Sequence, residues 1–323
     1  MMARAVEPQA ARSTEAIGYC VDIGGSFIKF GRAFGPGEVR EEAKVPTPLT
    51  SWDDFKSALA GLISRSAPHA DDLPLAICTT GLFDAGTGQV YAANIPGFAG
   101  HDLVGELSAE LGRKVLIAND ADAFALAEAS VGAGQGHDVV MAIILGTGVG
   151  GGLVAGGKLV QGPGGVTGEW GHGSIVQTHL TLPGTGESID MPRFRCGCGR
   201  HGCTDTIGGA RGIERIHRHL SGAELSSRQI VSAWTNGDMD ANRTMAVYFE
   251  LLSEPLAFAV NMVGPTIIPV GGGLASSPEL VSGLDAAVRA RTLHRYDQPL
   301  VVPGQHLKDG GLVGVSVLAA QNG

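Results

Sequence analysis

The chain has 323 residues, of which 44% are hydrophobic and 17% charged, with a net charge of −9. This suits a protein of about two domains with buried cores and excludes global disorder. The acidic balance, without a concentrated basic patch, argues against a nucleic-acid surface.

Residues 1–15 lack the apolar run of a signal peptide and read as a tail, which points to a cytoplasmic protein. There the five cysteines are expected as thiols or metal ligands rather than disulfides. Strands are expected at 16–23, 27–34 and 38–45, separated by glycine turns, as a meander. A helix over 52–64 has Ser51 as N-cap and sets Phe55, Leu59 and Leu62 on one face. Next come a buried strand at 75–78, a helix at 103–111, a strand at 115–118 and a helix at 121–130. Strands at 139–145 and 151–155 flank a glycine cluster, and 157–207 reads as irregular. The remainder is mostly helical until "TIIPVGGG", a strand running into a glycine turn, and helices at 277–291 and 311–320 close the chain. The apolar stretch 256–275 is broken by Asn261, Pro265, Pro269 and glycines, and so reads as a buried helix and strand rather than a membrane span. Meanders followed by alternating helices and strands, in both halves, predict an α/β protein with a cleft between two lobes.

Glycine is the outlier, with 50 residues, roughly twice the usual share. It clusters at 146–173 and 271–273, where backbone is expected to approach something closely. Asp22, Gly24, Gly25 and Ser26 form a turn between two strands. Its bare amides and hydroxyl suit phosphate oxygens, and Asp22 suits a metal ion held through water; an ordinary hairpin turn fits as well. Gly146, Gly148 and Gly151 match G-x-G-x-x-G after a strong strand, with Glu169 near the place of a ribose-binding acid. A dinucleotide site nevertheless requires these glycines to open a helix, and here they lead into "GLVAGGKLV". A second hairpin with exposed amides fits better. Gly271, Gly272 and Gly273 make a third turn, readable equally as a plain strand-to-helix connection.

In "IANDADAFALAEA", Asn119 and Asp120 stand between a strand and a helix. Asp120 could cap the helix, or act as a general base toward a sugar hydroxyl that Asn119 orients. Cys196, Cys198 and Cys203 give C-x-C-x4-C in a glycine-rich knuckle, with His172 upstream. Three thiolates and an imidazole make a closed, structural zinc site. His201 reads as a surface residue of the knuckle, and Cys20 and Cys78 as core.

Taken together, "DIGGSFIKFG", "ANIPGF", "ANDADAFALAEA", "LGTGVGGGLVAGGKLVQGPGGVTGEWGH", "CGCGRHGC" and "PVGGGL" resemble the ROK family of sugar kinases and sugar-responsive repressors, in the family's order, over about residues 17–320. The resemblance implies a two-lobed actin- and hexokinase-like (ribonuclease H-like) fold closing on ATP, Mg2+ and a hexose. The small lobe would be 16–119, completed by the C-terminal helix at about 306–323, and the large lobe 120–305 with the zinc knuckle. It implies that Asp22, Gly24, Gly25, Ser26 and Lys29 serve the first phosphate loop, that Gly146, Thr147 and Gly148 form the second, and that Gly271 and Gly272 approach the adenosine. Asp120 becomes the base toward the sugar 6-hydroxyl. Gly81, Asn94, Asn119, Asp120, Glu169 and His172 line the sugar, His172 using its other ring nitrogen for zinc.

Where the family usually has Glu two positions after the last zinc cysteine, this chain has Asp205, one methylene shorter, which is carried over to the sugar site. The long stretch between His172 and Cys196 most resembles the family's bacterial N-acetylglucosamine kinases. Glucokinase and N-acetylmannosamine kinase are the alternatives. A homodimer is expected, as relatives are often dimers. A DNA-binding regulator is disfavoured because too few residues precede the first strand for a helix-turn-helix. A catalytically silent sugar sensor is disfavoured because both loops and Asp120 are intact.

Overall fold

The computed structural model describes residues 15–66, 72–84, 86–92 and 94–322; the expected tail, apart from Glu15, lies outside them. Strands β1 (Gly18–Ile23), β2 (Phe27–Gly35) and β3 (Glu38–Pro46) form an antiparallel meander. Helix α1 (Trp52–Ser66) leads to β4 (Leu75–Thr79), parallel to β1. A small hairpin of β5 (Leu82–Asp84) and β6 (Gln89–Tyr91) and helix α2 (Leu103–Leu111) precede β7 (Val115–Asn119), parallel to β4. The sheet order is β3-β2-β1-β4-β7. The near-continuous apolar runs of β1 and β4 suit its buried centre, and the charged "EVREEAKVP" of β3 blunts its edge.

Helix α3 (Asp120–Val131) leads to a second sheet. Strands β8 (Val139–Leu145), β9 (Val149–Ala155) and β10 (Lys158–Leu159) are an antiparallel meander. The knuckle region holds a small ribbon, β11 (His179–Thr181) with β12 (Ser188–Asp190), and a helical turn, α4 (Asp205–Gly208). Helices α5 (Ala210–Ser221), α6 (Ser227–Thr235) and α7 (Met239–Val263) pack on one another and share a core with β8. Then β13 (Ile268–Gly271) lies parallel to β8, and β14 (Val301–Pro303) follows α8 (Pro278–Arg289) parallel to β13. The order is β10-β9-β8-β13-β14. Helix α7 is long and apolar enough to cross a membrane by length, but Met245, Tyr248, Leu252 and Leu256 are buried in the core beneath it.

Helix α9 (Gly310–Asn322) returns to pack on β1, β4 and α3, while α3 packs on β8 and β9. The two helices approach closely because both faces are small: a Cβ at Gly314 would overlap the Ala123 carbonyl. Each expected strand and helix is present. Strand β9 begins at Val149 rather than 151, since Gly150 and Gly151 pair with Ile144 and Ile143. Its glycines are bare because Trp170 and Ala125 press against that backbone, at 2.9 and 2.8 Å from where a Cβ of Gly151 and Gly152 would stand.

Candidate active site

The first glycine loop closes the β1–β2 hairpin. The Gly24 N–H donates to the Phe27 carbonyl (3.0 Å), and Thr47 steadies the loop from outside, its hydroxyl donating to Gly24 O (2.7 Å) and its amide to Ser26 O (3.1 Å). Among the described residues nothing accepts the Gly25 and Ser26 amides, which leaves two donors for a ligand. The Asn94 amide group covers Gly25, 3.1 Å from where a Cβ would lie, and Thr80 donates to Asn94 Oδ1 (3.0 Å). At Gly81 a Cβ would lie 2.6 Å from the Tyr91 carbonyl, so glycine allows the β4–β5 turn to close on the strand that leads to Asn94. Asp22, at the tip of β1, receives Lys29 Nζ at 2.9 Å and faces Cys78 and the start of α9, where Gly311 leaves room for its carboxyl. Both cysteines expected in the core, Cys20 and Cys78, are buried. Asp22 charge and burial push the Cys78 thiol well up; burial is the larger cause.

The second loop closes the β8–β9 hairpin, with the Gly146 N–H donating to Gly148 O (3.0 Å). It opens a strand, not a helix, so the dinucleotide reading fails on geometry as the sequence suggested. Its outer carbonyls are held by α5: Ala210 N–H donates to Gly146 O (2.8 Å) and Arg211 N–H to Thr147 O (3.4 Å). The third turn packs on this loop. Gly272 has φ +83°, and a Cβ there would lie 2.5 Å from the Leu145 carbonyl carbon, so only glycine combines this conformation with this approach. A cavity of about 400 Å³ opens beside both turns, lined by Gly146, Thr147, Ala210, Arg228, Val231 and Leu274, among others. Arg228 and Val231 carried no sequence signal, because they lie on a helix whose proximity to the loop only the fold supplies, whereas Leu274 ends the quoted "PVGGGL". A second groove of about 500 Å³ runs along α5 past Arg211, Arg215 and Arg218 and touches none of the glycine turns.

Between the loops stands the N-terminus of α3. Asn119, not Asp120, is its N-cap, accepting the Asp122 amide at 2.6 Å. Among the described residues the Asp120 carboxylate accepts the adjacent Ala121 amide (3.0 Å), and the residue is exposed. The group is accessible yet walled by protein on most sides. That desolvation raises its pKa first, and the charges of Asp22 and Glu169 add to it, against the lowering effect of the local amides. Asp122 is 4% exposed and its Oδ1 has no partner among the described residues; burial, then Glu169 and Asp120, push it up to about 7.

His172 joins this centre to the knuckle. Its Nε2 lies 3.5 Å from Glu169 Oε2 and its Nδ1 3.7 Å from Cys196 Sγ. The ligand atoms of His172, Cys196, Cys198 and Cys203 all lie within 4.8 Å of one another, and Cys198 and Cys203 Sγ are 3.7 Å apart. A tetrahedron with zinc–sulfur legs of about 2.3 Å has edges of about 3.8 Å, so the donor set fits Zn2+. His201 is exposed and outside the group. Asp205 is held on the knuckle side of the second loop: its Oδ1 accepts the Val149 amide (2.9 Å) and its Oδ2 lies 3.6 Å from Cys196 Sγ.

The ROK family pattern matches residues 18–322. An N-acetyl-D-glucosamine kinase of Shigella boydii is 34% identical over 301 residues, covering 93% of this chain and 98% of its own. Among solved structures, a ROK hexokinase from Thermus thermophilus superposes with a TM-score of 0.78 at 29% identity, over 95% of this chain and 99% of its own. A ROK family glucokinase from Streptomyces griseus, in complex with glucose and AMPPNP, gives a TM-score of 0.69 at 27% identity, over 94% and 99%.

Proposed function

The chain belongs to the ROK family, and from that premise we propose that it transfers the terminal phosphoryl group of ATP to the 6-hydroxyl of N-acetyl-D-glucosamine. The observation that carries phosphoryl transfer is the placement of an uncapped carboxylate, Asp120, between two glycine hairpins that present backbone amides. A sugar hydroxyl is a weak nucleophile, and a carboxylate with a raised pKa is a better base for its proton. The names of the 34% identical relatives support the choice of sugar.

In this reading Gly25 and Ser26 donate to the phosphates from one side, and Thr147 and Gly148 from the other, on a turn that the Gly146 N–H closes. Gly271 and Gly272 shape the turn under the nucleotide, whose base fits the 400 Å³ cavity. Asp22 would hold Mg2+ through water, and Lys29 keeps its charge in place. Bound Mg2+ would neutralise charge on the transferred phosphoryl group. Asn94, Asn119, Glu169 and His172 bind sugar hydroxyls, with Gly81 setting the position of the Asn94 segment. His172, Cys196, Cys198 and Cys203 would hold zinc, which fixes the imidazole's tautomer so that Nε2 faces the sugar.

The lobes are read as 16–119 with about 306–323, and 120–305. α9 packs on the first sheet, in keeping with this division. A cytoplasmic homodimer accords with the exposed Phe258 and Met262, one turn apart on α7, beside the exposed Leu293. An ADP-release assay with MgATP and N-acetylglucosamine, N-acetylmannosamine, glucose, mannose, fructose and allose tests the proposal. N-acetylglucosamine should give the highest kcat/KM. Preference for another sugar would discard the substrate, and no turnover with any sugar would discard the kinase.

A further inference from the structure

We propose that Asp205 is a positioning residue of the second glycine loop, tying the exit of the zinc knuckle to the backbone that faces the phosphates rather than reaching the sugar. The inference rests on the kinase reading of that loop. Asp205 follows Cys203 by two positions and opens α4. Its own amide donates to Gly171 O (2.9 Å), next to His172. Its Oδ1 accepts the Val149 amide at 2.9 Å, in space that exists because residue 148 is glycine; a Cβ there would overlap that oxygen. Its Oδ2 faces Cys196. The carboxylate is thus held between knuckle and loop.

The segment that follows continues the same contact. Gly208 backs Val149, Gly209 lies against Thr147 and Gly148, and Ala210 and Arg211 donate to Gly146 O and Thr147 O. Among the described residues of this seam Asp205 is the one whose charged side chain bonds the loop backbone, and a charge-assisted bond to a backbone amide is stronger than a neutral one. The shorter acid stands in the space that glycine leaves, its Oδ1 lying where a Cβ of residue 148 would clash. The knuckle would then govern both substrates, the sugar through His172 and the nucleotide through Asp205.

The test compares Asp205→Ala, Asp205→Asn and Asp205→Glu with the wild type, by calorimetric binding of AMPPNP and of N-acetylglucosamine, zinc content, and hydrogen exchange at the Val149 amide. Asp205→Ala should bind AMPPNP about tenfold more weakly and exchange Val149 about tenfold faster, with sugar affinity within about twofold. Asp205→Asn keeps the acceptor oxygen and should stay within about threefold of wild type in every measurement. Asp205→Glu should weaken AMPPNP without improving sugar binding. Loss of sugar affinity in Asp205→Asn, with AMPPNP binding and Val149 exchange unchanged, would return Asp205 to the sugar site and overturn the proposal. If the alanine variant loses zinc or does not fold, rescue by Asn with failure of Glu still supports it, and the reverse overturns it. A wild type that does not bind AMPPNP removes the kinase reading instead, and Val149 exchange then decides the role of Asp205 alone.

Discussion

The two sheets have the same plan: an antiparallel three-stranded meander with its first strand central, then two parallel strands beside it. Each places a glycine turn between its first two strands, and the two turns are supported differently. The first is held at its rim by Thr47 and covered by one amide side chain, Asn94. The second is backed by main chain from three directions: α5, the Gly272 turn and the segment leaving the knuckle. A loop steadied by side chains can adjust when a ligand arrives, whereas one backed by packed backbone is set in advance.

The largest expected effect lies between the loops. Asp120→Asn should lower kcat by about 10³-fold while sugar affinity holds, since the amide keeps shape but not basicity. Near-normal turnover would leave the two loops without a base between them. Cys198→Ser, measured by zinc content and sugar titration, should lose the metal and weaken sugar binding by about 10–100-fold, the usual cost of losing support for a ligand-binding imidazole. Unchanged sugar affinity in zinc-free protein would separate knuckle from site.

The asymmetry of support is tested directly by Gly272→Ala against Gly24→Ala. At Gly272 an added Cβ meets backbone and a positive φ, so nucleotide affinity and stability should drop by about 1–3 kcal/mol. At Gly24 the nearest atom is 3.6 Å away, and an effect below about 0.5 kcal/mol is expected. Equal losses at both would erase the distinction.

The pH dependence should follow the raised pKa of Asp120. A base must be deprotonated, so kcat/KM falls as pH drops through a value above the ordinary carboxylate range. Removing one like charge with Glu169→Gln should move that limb to lower pH; a limb that does not move would mean that Glu169 is not felt at the base. A separate effect, on stability alone, is expected at Asp122. Its carboxyl is raised to about 7 when folded, so the folded state binds more protons than the unfolded from about pH 4 to 7, and stability falls as pH rises through that window. Asp122→Asn should raise Tm at pH 8 by roughly 3–5 °C and change little at pH 5. Equal shifts at both would show that burial of its charge is not the cause.

Much of this was legible in the chain itself. Alternation and glycine turns mark both meanders, since strand periodicity and backbone freedom are local properties. The cysteine spacing marks the knuckle, because thiolates with an imidazole have few other uses in that pattern. The assignments that needed the fold were of another kind. The sequence offered Asp120 as the cap of α3, and the helix start placed one residue earlier gives the cap to Asn119 instead. Arg228 and Val231 become neighbours of the second glycine turn only when α6 packs on α5, whose first amides hold that turn. The family resemblance carried Asp205 to the sugar site, while only the fold shows that its Oδ1 accepts the Val149 amide. Residue type and spacing fix which donors, acceptors and turns are available along a few residues of chain. Which of them meet is set by contacts between distant segments, and a one-dimensional pattern does not carry those distances.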